Sequence, residues 1–336
     1  MHSKKLQNFY IQNYLRIKLL ILLVLITVLT LFFAPLLGSI TYHPLALYNY
    51  VVKLIQGKNL DLRGEILINL RLPRIIMCIL VGAALSVSGV VMQAVFRNPL
   101  AEPFVLGMSS GAALGAILGF IFNFNFYAIS ALAFLTSLFS VFLVYSIAKV
   151  SKYGQAEALL LSGIAVNFLF YALEWLLLIR TNAYMILSWL VGHFGGIRWL
   201  EVRISLIPIV LGIIIIFFFS KDLNALMFGD ETAHYLGVDP KFTRNVTVTF
   251  TTLITAISTA FVGLVGFVGL MVPHMSRLLI GNDNRFLIPF SAFFGAVFLT
   301  WADVLTRLLM GDIPVGIVTM LLGAPFFIYL QVYRKI

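Results

Sequence analysis

Residues Leu70 to Gly119 read LRLPRIIMCILVGAALSVSGVVMQAVFRNPLAEPFVLGMSSGAALGAILG. Arg71 and Arg74 flank a proline, and a helix-length run of small and apolar residues follows, up to a polar break at Arg97-Asn98-Pro99. Beyond the break, Gly107, Gly111, Gly115 and Gly119 recur every four residues. Lipid tails are as apolar as leucine, so helices in a bilayer associate by close packing, and small residues on one face permit the approach. The stretch therefore reads as a membrane hairpin whose second helix packs along glycines.

The rest of the chain agrees. Of its 336 residues 61% are hydrophobic and 11% charged, and a mean hydropathy of +1.03 excludes an ordinary soluble domain. A membrane-crossing helix needs roughly 20 apolar residues. Spans are predicted at 19–38, 72–92, 103–122, 127–148, 157–179, 203–220, 245–263, 268–281, 286–308 and 314–333. A barrel would show short alternating segments, which are not found. The expected fold is an all-α polytopic membrane protein, one domain over 1–336.

Lys4, Lys5, Arg16 and Lys18 precede the first span, which is too long for a signal-peptide core and has no A-x-A-like site after it. Segment 1–18 is placed in the cytoplasm, and ten crossings return the C-terminus there. Most of the 23 Lys and Arg then fall inside, including Arg97, Lys149, Lys152, Lys221, Lys241, Arg244, Arg334 and Lys335. The outer ones, among them Lys53, Lys58, Arg63, Arg71, Arg74, Arg180, Arg198 and Arg307, exceed what orientation requires. A net charge of +10 spread over helix ends is not a nucleic-acid footprint. Cys78, the single cysteine, is read as a packing residue.

Outside the spans, 39–69 reads as a surface-lying helix, and 181–201, with Trp189 and Trp199 among glycines, as a bent interfacial piece. Arg74 and Arg244 lie 170 residues apart, as do Pro103 and Pro273, which suggests an inverted internal repeat.

The longest internal polar interruption, 221–244, reads as two short helices joined at Gly229. Leu223, Leu226 and Met227 have helical spacing, and Asp230 stands at a helix start. It is either a plain connection or an apolar face offered to a partner's groove. There is no G-x-x-x-x-G-K-[ST] phosphate loop and no ligand cluster at metal spacing, so neither an enzyme nor a cofactor or metal site is expected. Energy would come from a separate ATPase or from an ion gradient.

Three outer arginines, Arg71, Arg74 and Arg307, either snorkel to headgroups or meet an acidic surface, since guanidinium binds carboxylates in pairs. Asn98, Pro99 and Leu100 form a plain turn or a break lining a cavity. Glu174 is a rare intramembrane acid, either facing a pathway or close to the surface. Asp303 is one helical turn from Arg307 and suits an i,i+4 pair. His274 reads as a structural hydrogen-bonder.

The string Leu70–Gly119, the segment Gly229-Asp230-Glu231-x-Ala233-x-x-Leu236-Gly237-Val238, the stretch Gly266–His274 and the run Gly311–Pro325 together resemble the FecCD-type permeases. With an ABC ATPase these import iron–siderophores, haem and vitamin B12 into bacteria. The resemblance implies a homodimer in the inner membrane, one cytoplasmic ATPase per chain and an extracytoplasmic binding protein. It also implies ATP-driven alternating access, with an iron–siderophore as first cargo and haem, vitamin B12 or a metal oxyanion as alternatives. Arg71, Arg74 and Arg307 would then meet glutamates of the binding protein, Asn98-Pro99-Leu100 would form the cytoplasmic gate, and Gly229–Val238 would contact the ATPase. An ion-coupled secondary transporter is the rival, and it should show several intramembrane carboxylates.

Overall fold

The computed structural model describes residues 2–38, 40–152, 154–179, 184–309 and 313–333. In order they form α1 (His2–Phe33), α2 (Ala46–Ile55), α3 (Leu62–Glu65), a π-helical segment (Ile66–Arg71), α4 (Leu72–Val95), a 3-10 turn (Pro103–Leu106), α5 (Met108–Ile121), α6 (Phe126–Val150) and α7 (Gln155–Leu178). Then come α8 (Tyr184–Leu190), α9 (Trp199–Phe218), α10 (Ser220–Leu226), α11 (Asp230–Tyr235), α12 (Pro240–Val262), α13 (Val268–Ile280), α14 (Asn284–Leu309) and α15 (Val315–Tyr333). Arg180, Gly311, Asp312, Arg334 and Lys335, named above, lie outside the described residues.

Every expected span contains a helix, and among the described residues seven helices are long and apolar enough to cross a membrane. The span expected at 103–122 needs correcting, since α5 starts only at Met108, whereas the one expected at 268–281 agrees with α13. With 14 and 13 residues, α5 and α13 are each about 20 Å long at 1.5 Å per residue, short of a hydrocarbon core of about 30 Å. Chain that is not α-helical flanks them, at 96–107 with a 3-10 turn over Pro103–Leu106, and at 263–267. Pro99 and Pro103 cannot donate to a helical ladder, and Gly263 (φ +79°) and Phe267 (φ +66°) hold left-handed backbone. Such chain survives at membrane depth where protein covers it. A hydropathy window over 103–122 cannot see the difference, because Phe104, Val105 and Leu106 of the 3-10 turn are as apolar as the helix that follows.

At the centre stands α4, apolar nearly all round and buried nearly throughout, against α9, α12, α13 and α14. Glycine lets it come close. A Cβ on Gly82 would overlap the Gly295 carbonyl oxygen of α14, and one on Gly89 would overlap the Gly269 carbonyl oxygen of α13. The expected four-residue stripe does the same for α5: Gly111, Gly115 and Gly119 lie against Thr136, Leu132 and Ile129 of α6. Gly107 differs, standing before the helix in left-handed backbone (φ +82°).

Arg74, early in α4, and Arg244, early in α12, lie at opposite ends of the bundle, which are called here the Arg74 end and the Asp230 end. The two helices run antiparallel and meet midway, where Thr255 Oγ1 donates to Ser88 Oγ at 3.0 Å. The correspondence of the two arginines thus extends to helices of opposite direction, as an inverted repeat requires. It does not extend to the prolines, since Pro103 opens a 3-10 turn and Pro273 sits inside α13. The surface helix expected in 39–69 is α2, held by Leu47 against Leu36, Leu67 and Ile68. Trp189 is buried rather than interfacial, and Trp199 Nε1 donates to the Ile68 carbonyl at 3.1 Å.

Candidate functional site

At the Asp230 end, α10 and α11 are the two short helices expected around Gly229, whose φ of +105° excludes other side chains without strain. Their faces are not those the sequence suggested. Leu223, Leu226 and Ala233 turn inward and are fully or almost fully buried. The exposed apolar groups are Phe228 at 75%, Tyr235 at 89% and Leu236 at 64%, beside exposed Glu231 and Gly237. Val238 is partly covered. This elbow is tied to the bundle by charge. Arg244, 1% exposed, donates Nη2 to both Asp230 carboxylate oxygens at 2.8 and 3.0 Å, and Nη1 to Gln155 Oε1 of α7 at 2.7 Å. The sequence showed neither partner, because Gln155 lies 89 residues from Arg244.

A second tie holds α10. Asn224 donates to Asp283 at 2.8 Å and accepts from the Asn284 backbone at 2.8 Å. Burial works to raise the Asp283 pKa, but hydrogen bonds from Arg285 and Asn224 overcome it and bring it down to about 2. The carboxylate therefore stays charged at any physiological pH and keeps both partners.

The chain after α4 passes directly beside this elbow. Arg97 adopts φ +50°, and its guanidinium stands next to Gly229. Asn98 Oδ1 accepts from the Leu100 backbone at 2.9 Å, a local turn that leaves Leu100 half exposed. Phe96, Arg97 and Asn98 line a recess of about 310 Å³ with Ala156, Glu157 and Leu160 of α7. Leu160 is shared with a larger cavity behind it, of about 480 Å³, walled by Glu102, Phe104, Val105, Ser109, Ile164, Asn167, Tyr171, Leu190, Leu264, Gly266 and Met320. From α7 come residues 157, 160, 164, 167 and 171, one helical stripe running inward. Asn167 is fixed there by Ser110, which donates to it at 2.6 Å, and by its own bonds to the Phe104 and Val105 carbonyls.

Glu174 continues that stripe one turn beyond Tyr171. It does not line the cavity: its side chain is buried within the chain, and its Oε1 has no hydrogen-bond partner among the described residues. Glu102, which sequence reading passed over, lines the cavity instead. No signal marked it, because an acid between two prolines reads as part of a turn.

At the Arg74 end, the buried Asp303 is held by two arginines. Arg74 donates Nε at 3.0 and 3.1 Å and Nη2 at 2.8 Å to its carboxylate. Arg307 stands 3.2 Å away on the same helix, as the i,i+4 spacing suggested. Arg307 also donates to the Leu37 carbonyl at 3.0 Å. Arg71 donates to the carbonyls of Pro35, Leu37 and Ile40 at 3.2, 3.4 and 2.7 Å and stacks on Tyr42. Arg71 and Arg74 are each 8% exposed, so neither is free on the rim, whereas Lys53, Lys58 and Arg63 nearby are exposed. With Arg71 beside them on the backbone carbonyls, three guanidinium groups and one carboxylate leave this cluster net positive.

The model of the FecCD transport family matches residues 19–333. The cobalamin import permease BtuC of Halobacterium salinarum is 40% identical over 270 residues, covering 80% of this chain and 73% of the relative. The hemin transport permease HmuU of Yersinia pestis is 36% identical over 286 residues, 82% of this chain and 85% of its own. A metal-chelate type ABC transporter solved in an inward-facing conformation superimposes with a TM-score of 0.84 at 30% identity, covering 95% of this chain and 99% of the other.

Proposed function

This chain belongs to the FecCD transport family, and on that premise we propose that its Asp230 end faces the cytoplasm and receives force from an ATPase, while the cavity behind residues 98–100 is its share of a passage for a metal chelate. The chain is a multi-pass membrane permease of an ABC importer, a class that works with an ATPase and a binding protein. An ion-coupled mechanism has no support among these relatives. In our reading two copies face each other across the cavity, which is open on one side. Both termini lie in the cytoplasm, and the membrane is the bacterial inner membrane. The cargo is a bulky chelate, of which an iron–siderophore is one kind and the cobalamin and hemin of the named relatives are others. Access alternates: ATP closes the ATPase pair, the elbow moves, and Asn98-Pro99-Leu100 open or shut the inner mouth.

One observation supports this most. The exposed Phe228, Tyr235 and Leu236 lie on an elbow pinned through Asp230 and Arg244 to α12, and through Gln155 to α7, the helix lining the cavity. Gly229, Asp230, Glu231, Ala233, Leu236, Gly237 and Val238 thus divide between partner contact and internal support. Phe228→Ser, Tyr235→Ser and Leu236→Ser together remove only exposed apolar area. We expect retention of the ATPase on the purified permease to fall on the order of tenfold or more, with the fold intact. Undiminished co-purification would reject the elbow as the docking surface.

The positive Arg74 end, in this reading, attracts an acidic binding protein. Arg71, Arg74 and Arg307 supply the field and hold the rim in shape, and exposed Lys58 and Arg63 are met first. Lys58→Glu with Arg63→Glu should weaken docking several-fold at low ionic strength, the difference shrinking as salt rises. Equal affinity at low salt counts against this surface.

A further inference from the structure

The larger cavity holds one formal charge. Among its lining residues Glu102 alone is acidic, and none is basic. Its carboxylate makes no hydrogen bond or ion pair among the described residues, unlike Asp230, Asp283 and Asp303, which all have partners. Glu102 also lies well inside the bundle. The adjacent Pro103 packs on Gly269, which itself lies against the Leu85 carbonyl of α4. Leu85 is ten residues from Val95, the last of α4, so Glu102 stands on the order of 10–15 Å in from the Asp230 end. An acid at that depth is costly unless it faces a hydrated space. Nearer the mouth, Arg97 and Glu157 oppose each other in charge across the recess that shares Leu160. The imbalance is therefore local to the larger cavity.

We infer that Glu102 is a charge filter, an unpaired carboxylate that favours passage of chelates with a cationic or neutral surface and rejects anionic ones. The inference rests on the cavity being the passage, as proposed above. A cargo crossing behind residues 98–100 must pass this carboxylate, and a second copy of the chain would place another across from it. Low-dielectric walls strengthen such a field, which is how rings of acids select for cations in pores. Repulsion of the wrong charge needs no tight binding of the right one, so the cargo is still released.

The test reads the field directly. Ile164→Cys and, separately, Met320→Cys place a thiol on the cavity wall, while native Cys78 is fully buried and serves as the unreactive background. In the complete transporter in proteoliposomes at pH 8, each thiol is treated with a cationic trimethylammonium-ethyl or an anionic sulfonatoethyl methanethiosulfonate of similar size. Rates are divided by those of a small free thiol. The cation-to-anion ratio should exceed one, fall about tenfold with Glu102→Gln, stay high with Glu102→Asp and ignore Glu157→Gln. Since the Glu102 carboxylate holds no partner, the glutamine variant leaves the fold undisturbed, and detergent melting checks this. Thiols that react at a ratio insensitive to Glu102→Gln overturn the filter and leave the passage standing. Thiols that react with neither reagent overturn the passage and the filter with it.

Discussion

Asp303→Ala is expected to be the most damaging single change of a charged residue in this chain. The carboxylate is fully buried and takes four contacts of 2.8 to 3.2 Å from Arg74 and Arg307, which are themselves buried. Removing it strands two guanidinium groups in a low-dielectric site. Breaking a buried pair from one side costs about 3–5 kcal/mol, because the remaining charge is uncompensated. Here α14 would also lose its hold on the start of α4. The expected result is a large fall in the thermal midpoint in detergent and little monodisperse protein. Asp303→Asn, which can still accept hydrogen bonds, should fall between. A midpoint within error of the parent would mean that the cluster is held by the backbone carbonyls of Ala34, Leu37 and Ile40 instead.

Gly82→Leu should rank beside it, for a steric reason. A single Cβ there already overlaps the Gly295 carbonyl oxygen and meets the Leu299 Cβ at 3.0 Å. The obstacle is backbone, which no rotamer change relieves. Overpacking in cores costs roughly 1–3 kcal/mol when neighbours can shift, and a helix crossing made backbone on backbone must separate instead. We expect α4 and α14 to part and the protein to aggregate in detergent, with Gly82→Ala impaired less and Gly57→Ala, in open space, impaired by its backbone alone (φ +69°). Normal yield and melting of Gly82→Leu would contradict the packing described for α4.

Hydropathy made the spanning helices legible, and glycine spacing made the packing face of α5 legible though not its partner α6, because both follow from local pattern. What escaped depends on partners distant in sequence. Arg74 read as a rim residue, since nothing near it announces Asp303, 229 residues on. Leu223 and Leu226 read as a docking face because a short helix shows its apolar side without showing whether the chain covers it. The late start of α5 was hidden by the apolar residues of the 3-10 turn before it. Glu174 stood out as an acid in an apolar run and Glu102 did not, yet the structure encloses the first and places the second on the cavity wall.

The two arginines set 170 residues apart are fastened by the same chemistry, in unequal surroundings. Asp303 is sealed from water, whereas the Asp230 side chain is 47% exposed while its arginine is 1% exposed. Water competes for the second pair, and a contact so shared is worth far less than a sealed one. One fastening is thus a rivet and the other a clasp, so a symmetrical scaffold yields at one end before the other. Motion that begins beside Asp230 can undo its clasp and travel along α7 and α12 while the far rim keeps its form.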